Sequence, residues 1–119
     1  MFDHIGIHVK DLAASVRFYE AVLAPLGFVL CSRDDTSAGF GPKDAPALWL
    51  YVAQATGART HVAFSAGSRK AVDQFHEAAM KTGGTDHGKP GLRTDYSPTY
   101  YAAFVIDPDG NNVEAVTYR

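Results

Sequence analysis

The 119-residue sequence lacks most of the features that would place it in a specialised class. It has one cysteine, Cys31, so no disulfide forms within the chain and no cysteine-rich zinc site is expected. Cys31 reads as a small apolar strand residue, and a reducing compartment, the cytoplasm, is the expected location. No long run of like charge exists. Eleven Lys and Arg against thirteen Asp and Glu leave a formal charge of −2, with a pI near 6.2. That balance provides no basic footprint for nucleic acid or an anionic membrane. No apolar stretch is long enough to span a bilayer, and the first residues lack the basic-then-apolar layout of a secretory signal. A hydrophobic share of 46% and a charged share of 20% argue against disorder. The length suits one domain, or two half-sized units sharing a core.

The chain carries a pattern that runs twice. From Phe2 to Val9, apolar Ile5, Ile7 and Val9 alternate with His4, Gly6 and His8, the period of a half-buried strand. From Asp11 the period changes. Leu12, Val16, Tyr19, Leu23 and Leu26 form a helical stripe, with Asp11 as N-cap and Pro25 and Gly27 as the stop. Residues 28–32 suggest a short strand, 33–46 a loop-rich stretch with a short strand near Phe40, and 47–53 another strand. In the last of these, Leu48, Leu50 and Val52 oppose Trp49 and Tyr51. After a polar, small-residue linker at 54–59 the pattern restarts. Residues 60–66 form a strand, and Ser68 caps a helix striped by Val72, Phe75, Ala79 and Met80 and ended by Gly83 and Gly84. Residues 85–98 read as a polar loop and 99–106 as a strand. Asp107-Pro-Asp-Gly110 is a tight turn, and 112–118 the final strand.

This repetition predicts an α+β protein of two βαβββ modules, 1–53 and 60–119, joined by the linker. A helix covers one face of each short sheet, so the other faces are left to curve around a cavity. Alternation alone puts His4, Gly6, His8, Trp49, Tyr51, His61, Ala63, Ser65, Asn112 and Glu114 on the uncovered side. For residues 100–106 both faces are apolar or aromatic, so their orientation stays open.

Three stretches carry a family resemblance. His4-Ile-Gly-Ile-His-Val-Lys-Asp-Leu12 with Ser15-Val-Arg-Phe-Tyr19 and Leu26-Gly-Phe28 is one. Thr60-His-Val-Ala-Phe64 is the second, and Phe104-Val-Ile-Asp-Pro-Asp-Gly-Asn-Asn-Val-Glu114 the third. Together they resemble the glyoxalase/bleomycin-resistance/dioxygenase (vicinal oxygen chelate) superfamily over nearly the whole chain. The resemblance implies a divalent metal held by His4, His61 and Glu114. Two imidazoles and a carboxylate suit Zn, Ni, Mn or Fe and leave positions open for a substrate's oxygen pair. It also implies a homodimer, in which modules of two chains sometimes exchange so that His4 joins His61 and Glu114 of the other copy.

The sequence departs from each named activity in one place. Glyoxalase I has a fourth ligand where this chain has Trp49, so isomerisation of methylglyoxal is not expected. The extradiol dioxygenases place a tyrosine where this chain has Phe104. The fosfomycin-modifying transferases have a cation-binding loop that residues 89–98 do not match. The expected function is therefore a divalent-metal enzyme of lyase, isomerase or transferase type on a small substrate with vicinal oxygens. The alternative is a metal-free protein that binds a small molecule or antibiotic. His8 and Tyr101 are the candidate catalytic residues. Trp49, Tyr51 and Tyr100 form an aromatic lining for substrate, while Arg93 and Tyr96 are placed to pair with a carboxylate or phosphate. His76 and His87 read as surface residues.

Overall fold

Each module opens with a strand whose periodicity gives way to a capped helix. In the computed structural model, which describes residues 2–53 and 59–119, β1 (Ile5–Val9) leads to α1 (Leu12–Leu23). The Asp11 side chain accepts the Ala14 N–H and so satisfies one of the unpaired donors of the first turn. A 3-10 turn at Ala24–Leu26 follows, with Pro25 inside it and Gly27 at φ 90 closing it. Next come β2 (Val29–Arg33), β3 (Ser37–Gly41) and β4 (Leu48–Val52). The second module repeats the order: β5 (His61–Ser65), α2 (Arg69–Lys81) capped by Ser68, β6 (Thr85–Leu92), β7 (Tyr101–Ile106) and β8 (Asn112–Thr117). Most of the linker expected at 54–59, residues 54–58, lies outside the described residues.

The strands form two four-stranded mixed sheets, ordered β1-β4-β3-β2 and β5-β8-β7-β6. In each, the first strand pairs in parallel with the last, and the remaining pairs are antiparallel. One face of each sheet lies under its own helix, and the two helices pack on each other. The core is continuous across both modules, with Phe18, Tyr19, Val22 and Leu23 from α1 and Val72, Phe75 and Ala79 from α2 fully buried. Where β1, β3 and β4 approach β5, a small apolar cavity of about 210 Å³ lies among Ile5, Phe28, Phe40, Leu48, Val62 and Phe64.

A polar clasp also joins the modules. The turn between β7 and β8 brings the buried Asp107 to α1, where the Tyr19 hydroxyl donates to its Oδ2 at 2.5 Å. Asp107 also accepts the backbone N–H of Asp109 and of Asn111 and the Asn111 side-chain amide. Asp109 in turn accepts the Lys10 N–H and the Ser15 hydroxyl at the start of α1, where the helix dipole favours a carboxylate.

Two sequence readings are corrected. Residues 85–92 form a strand, not a loop. Gly88, Pro90 and Gly91 are tolerated there because β6 is an edge strand whose pairing with β7 shifts register between Asp86 and Gly88 and again before Gly91. Met80 leaves the buried stripe of α2 and stands 39% exposed, beside the fully buried Ala79. No helix among the described residues is long and apolar enough to cross a membrane.

Candidate functional site

Strand alternation decides which side chains share the open faces. On the first sheet, Gly6 and His8 of β1 lie beside Trp49 and Tyr51 of β4, their register partners. The two aromatic rings stack at 6.4 Å and 19°, and His8 sits 6.4 Å from Tyr51. They lie flat because glycines lie beneath them. A Cβ on Gly39 would come within 2.8 Å of the Trp49 ring, and one on Gly6 within 2.8 Å of Tyr51.

The second sheet carries the polar centre. His61 pairs in register with Asn112, Ala63 with Glu114, and Phe104 with Glu114 from the other side. Glu114 has a 3% exposed side chain, and His61 Nε2 lies 3.2 Å from its Oε1. The second carboxylate oxygen accepts the Tyr100 hydroxyl. Burial first, and then the hydrogen bond to Glu114, hold that hydroxyl's pKa well above its ordinary value. Tyr100 is itself braced edge-on by Tyr96 at 5.0 Å and Tyr118 at 5.3 Å. His61 Nδ1 lies 3.1 Å from the Asn112 carbonyl oxygen, so Nδ1 carries the proton and Nε2 is the nitrogen turned to Glu114.

Beside this pair is a cavity of about 280 Å³ lined by His87, Gly88, Arg93, Tyr96, Phe104 and Asn112. His61 stacks on Phe104 at 6.4 Å, and the Arg93 guanidinium lies 5.5 Å over the same ring. Arg93 donates to the carbonyls of Gly91 and Lys89. Asn112 Oδ1 is buried with no hydrogen-bond partner among the described residues.

The expected site residues thus separate. His61, Glu114, Tyr100, Arg93 and Tyr96 gather on the open face of the second sheet, while His8, Trp49 and Tyr51 gather on that of the first. His4 precedes β1 and its Nδ1 bonds Asp3, at 2.6 Å. Among the described residues, no three His, Cys, Asp or Glu side chains converge to hold a metal ion. Tyr101 faces the other way, which corrects its place in the candidate catalytic set. One residue out of phase with Phe104 and Glu114, it lies on the helix side, with its hydroxyl on Asp73 of α2 at 2.6 Å and Arg69 over its ring. His87 belongs to the cavity wall rather than to a plain surface. His76, with a 13% exposed side chain, ties α2 to Asp86 of β6. Tyr118 joins the site without a signal in the sequence, and Phe104, compared there only with the dioxygenases' tyrosine, lines it. Counting out in twos from Glu114 through the β7 register would have found Phe104.

Two modules with this strand order and an imidazole–carboxylate pair on an open face define a member of a known class. The family model of the Glyoxalase/Bleomycin resistance protein/Dioxygenase superfamily matches residues 1–115. The chain belongs to that superfamily. Among solved structures it is similar to a glyoxalase/bleomycin resistance protein from Albidiferax ferrireducens T118, with 29% identity over 98% of this chain and 97% of that one and a TM-score of 0.84. It shares its fold with a putative glyoxalase from Bacillus halodurans, at 24% identity, 98% and 94% coverage and a TM-score of 0.73. It also shares its fold with an E144Q glyoxalase I mutant from Zea mays, at 23% identity and a TM-score of 0.74, covering 97% of this chain and 46% of that one. No curated protein matches the chain by sequence.

Proposed function

We propose that this protein is a divalent-metal-dependent enzyme acting in the cytoplasm on a small substrate with vicinal oxygens, through lyase, isomerase or transferase-type chemistry. The supporting observation is the His61–Glu114 pair. Because Nδ1 gives its proton to the Asn112 carbonyl, a neutral imidazole would aim the Nε2 lone pair at a buried carboxylate oxygen 3.2 Å away. Two donor atoms this close on one open face stand where two ligands of a single cation would. An imidazole and a carboxylate on rigid strands, each oriented from behind, are the donor set that Zn, Ni, Mn or Fe takes. His61 and Glu114 would be two ligands of the ion, and His4 of a second copy the third, in a homodimer. When bound, the metal supplies Lewis acidity to a substrate's oxygen pair.

The chain's own residues prepare the site. The Asn112 carbonyl fixes the imidazole's tautomer and plane. Tyr100 holds the outer oxygen of Glu114 and keeps its own proton. Phe104 forms an apolar wall that turns a substrate toward His61. His8, exposed on the other sheet, is the candidate acid or base brought up by the second copy.

The test is metal content by mass spectrometry on untagged protein purified without chelator, with His61→Ala and His4→Ala alongside. The expected result is near-stoichiometric divalent metal in the parent, lost in both variants. No metal after reconstitution with several ions would refute this reading. It would favour the second reading, metal-free binding of a small molecule, for which the aromatic face of Trp49 and Tyr51 speaks.

A further inference from the structure

The cavity beside the His61–Glu114 pair has a charge that nothing in the proposed metal chemistry uses. Of its six lining residues only Arg93 carries a permanent charge, and no acidic side chain among the described residues pairs with it. A guanidinium has five N–H donors. Two are spent on the carbonyls of Gly91 and Lys89, at 2.9 and 2.7 Å. These bonds, with the Phe104 ring 5.5 Å beneath, hold the fork in one plane before any ligand arrives. Fixing a long side chain in advance removes much of the ordering cost of binding. Tyr96 and His87 line the same space.

We propose that this cavity is a subsite for the carboxylate of a small organic acid, received by the Arg93 fork and walled by Phe104 and Tyr96. The choice of carboxylate over phosphate follows from charge. One fixed cation matches a monoanion, and a planar carboxylate takes two parallel bonds from a planar fork. Arg93 and His61 flank one ring, so the carboxylate would sit next to the His61–Glu114 pair. The inference deepens the proposed function: if that reading holds, the substrate is an acid whose second oxygen function lies beside its carboxylate. A 2-hydroxy acid fits this description.

Mandelate is the probe, with mandelamide as its neutral counterpart and inorganic phosphate as the rival anion. Binding is followed by titration calorimetry on the full-length protein as purified. Mandelate is expected to bind roughly tenfold or more tightly than either comparator, and to weaken by a similar factor in Arg93→Gln and His87→Glu. Arg93 also bonds the β6 backbone, so Arg93→Gln is checked by thermal melting. His87→Glu, which alters an exposed side chain, tests the charge without touching those bonds. Equal binding of acid and amide overturns the proposal, as does tighter binding of phosphate, no loss in His87→Glu, or no binding of mandelate at all. The same titration on His61→Ala separates the two readings. If that variant lacks metal yet binds mandelate, the subsite stands whatever becomes of the metal. If metal is present and mandelate ignores Arg93, only the subsite falls.

Discussion

Replacing Tyr19 with phenylalanine removes one oxygen atom from the junction of the two modules. The Tyr19 side chain is 1% exposed and Asp107 4% exposed, so water does not replace the lost donor. Asp107 Oδ2 keeps only the Asn111 amide, at 2.9 Å. A hydrogen bond to a buried charged acceptor contributes about 1.5–3 kcal/mol, so the expected loss is about 2 kcal/mol. Against a net stability of roughly 5–15 kcal/mol that is a large fraction. In a domain of this size it corresponds to a fall in Tm of roughly 6–10 °C. Urea unfolding followed by circular dichroism at pH 7 measures it. The pH dependence gives a second check. Burial, and then the neighbouring charge of Asp107, hold the Tyr19 hydroxyl well above its ordinary value of 10.0. Below pH 10 Tyr19 is neutral in folded and unfolded chains alike, and the gap between parent and Tyr19→Phe is constant. Above it, the unfolded chain ionises while the folded one does not, so the parent loses stability and the gap narrows. A loss below about 0.5 kcal/mol at neutral pH, or a gap that widens in alkali, would refute the clasp as a source of stability.

Other outcomes are expected along the same lines. Gly39→Ala places a methyl group 2.8 Å from the only tryptophan. The Trp49 ring must lift toward solvent, red-shifting its fluorescence at a cost of about 1–3 kcal/mol; an unchanged emission maximum would show that the ring does not rest on the glycine. Asp86 is held below its ordinary carboxylate pKa, chiefly by the hydrogen bond from His76 and then by the Gly88 N–H. Its contribution is therefore present above pH 4 and lost as pH falls through the lowered folded value. The difference in urea midpoint between the parent and Asp86→Asn should shrink from pH 6 to pH 3, and a difference that grows would contradict it.

The module repeat was legible because both halves announce themselves twice over, by a change of period and by a capping residue. Asp11 and Ser68 cap the helices as expected. That His61 and Glu114 share the uncovered face was legible because each lies on the polar side of an alternating strand. Where the signal was weak, the reason is physical. The strand Tyr101–Ile106 is apolar on both sides, so only its register against Glu114 decides that Phe104 faces the site and Tyr101 the helix. The edge strand β6 contains the residues that usually mark loops, and its pairing survives through bulges that no local pattern announces. The clasp was missed because Asp107-Pro-Asp-Gly110 already had a sufficient explanation as a turn. The clue lay elsewhere, in Ser15 and Tyr19. These two hydroxyls sit one helical turn apart on the buried face of α1, and buried hydroxyls need partners.

The parallel pairing of first and last strands in each module has a further consequence, for the order in which the molecule comes together. A hairpin finds its partner within a few residues, but β5 cannot pair until β8 is in place, and His61 lies 51 residues from its partner Asn112. Contacts that close so long a loop form slowly and late. The β6-β7-β8 meander is built from neighbouring antiparallel strands, and β5 lies along the outer edge of β8. The imidazole and the carboxylate meet only through that pairing. The candidate site therefore depends on the longest-range pairing in its module, not on any local element.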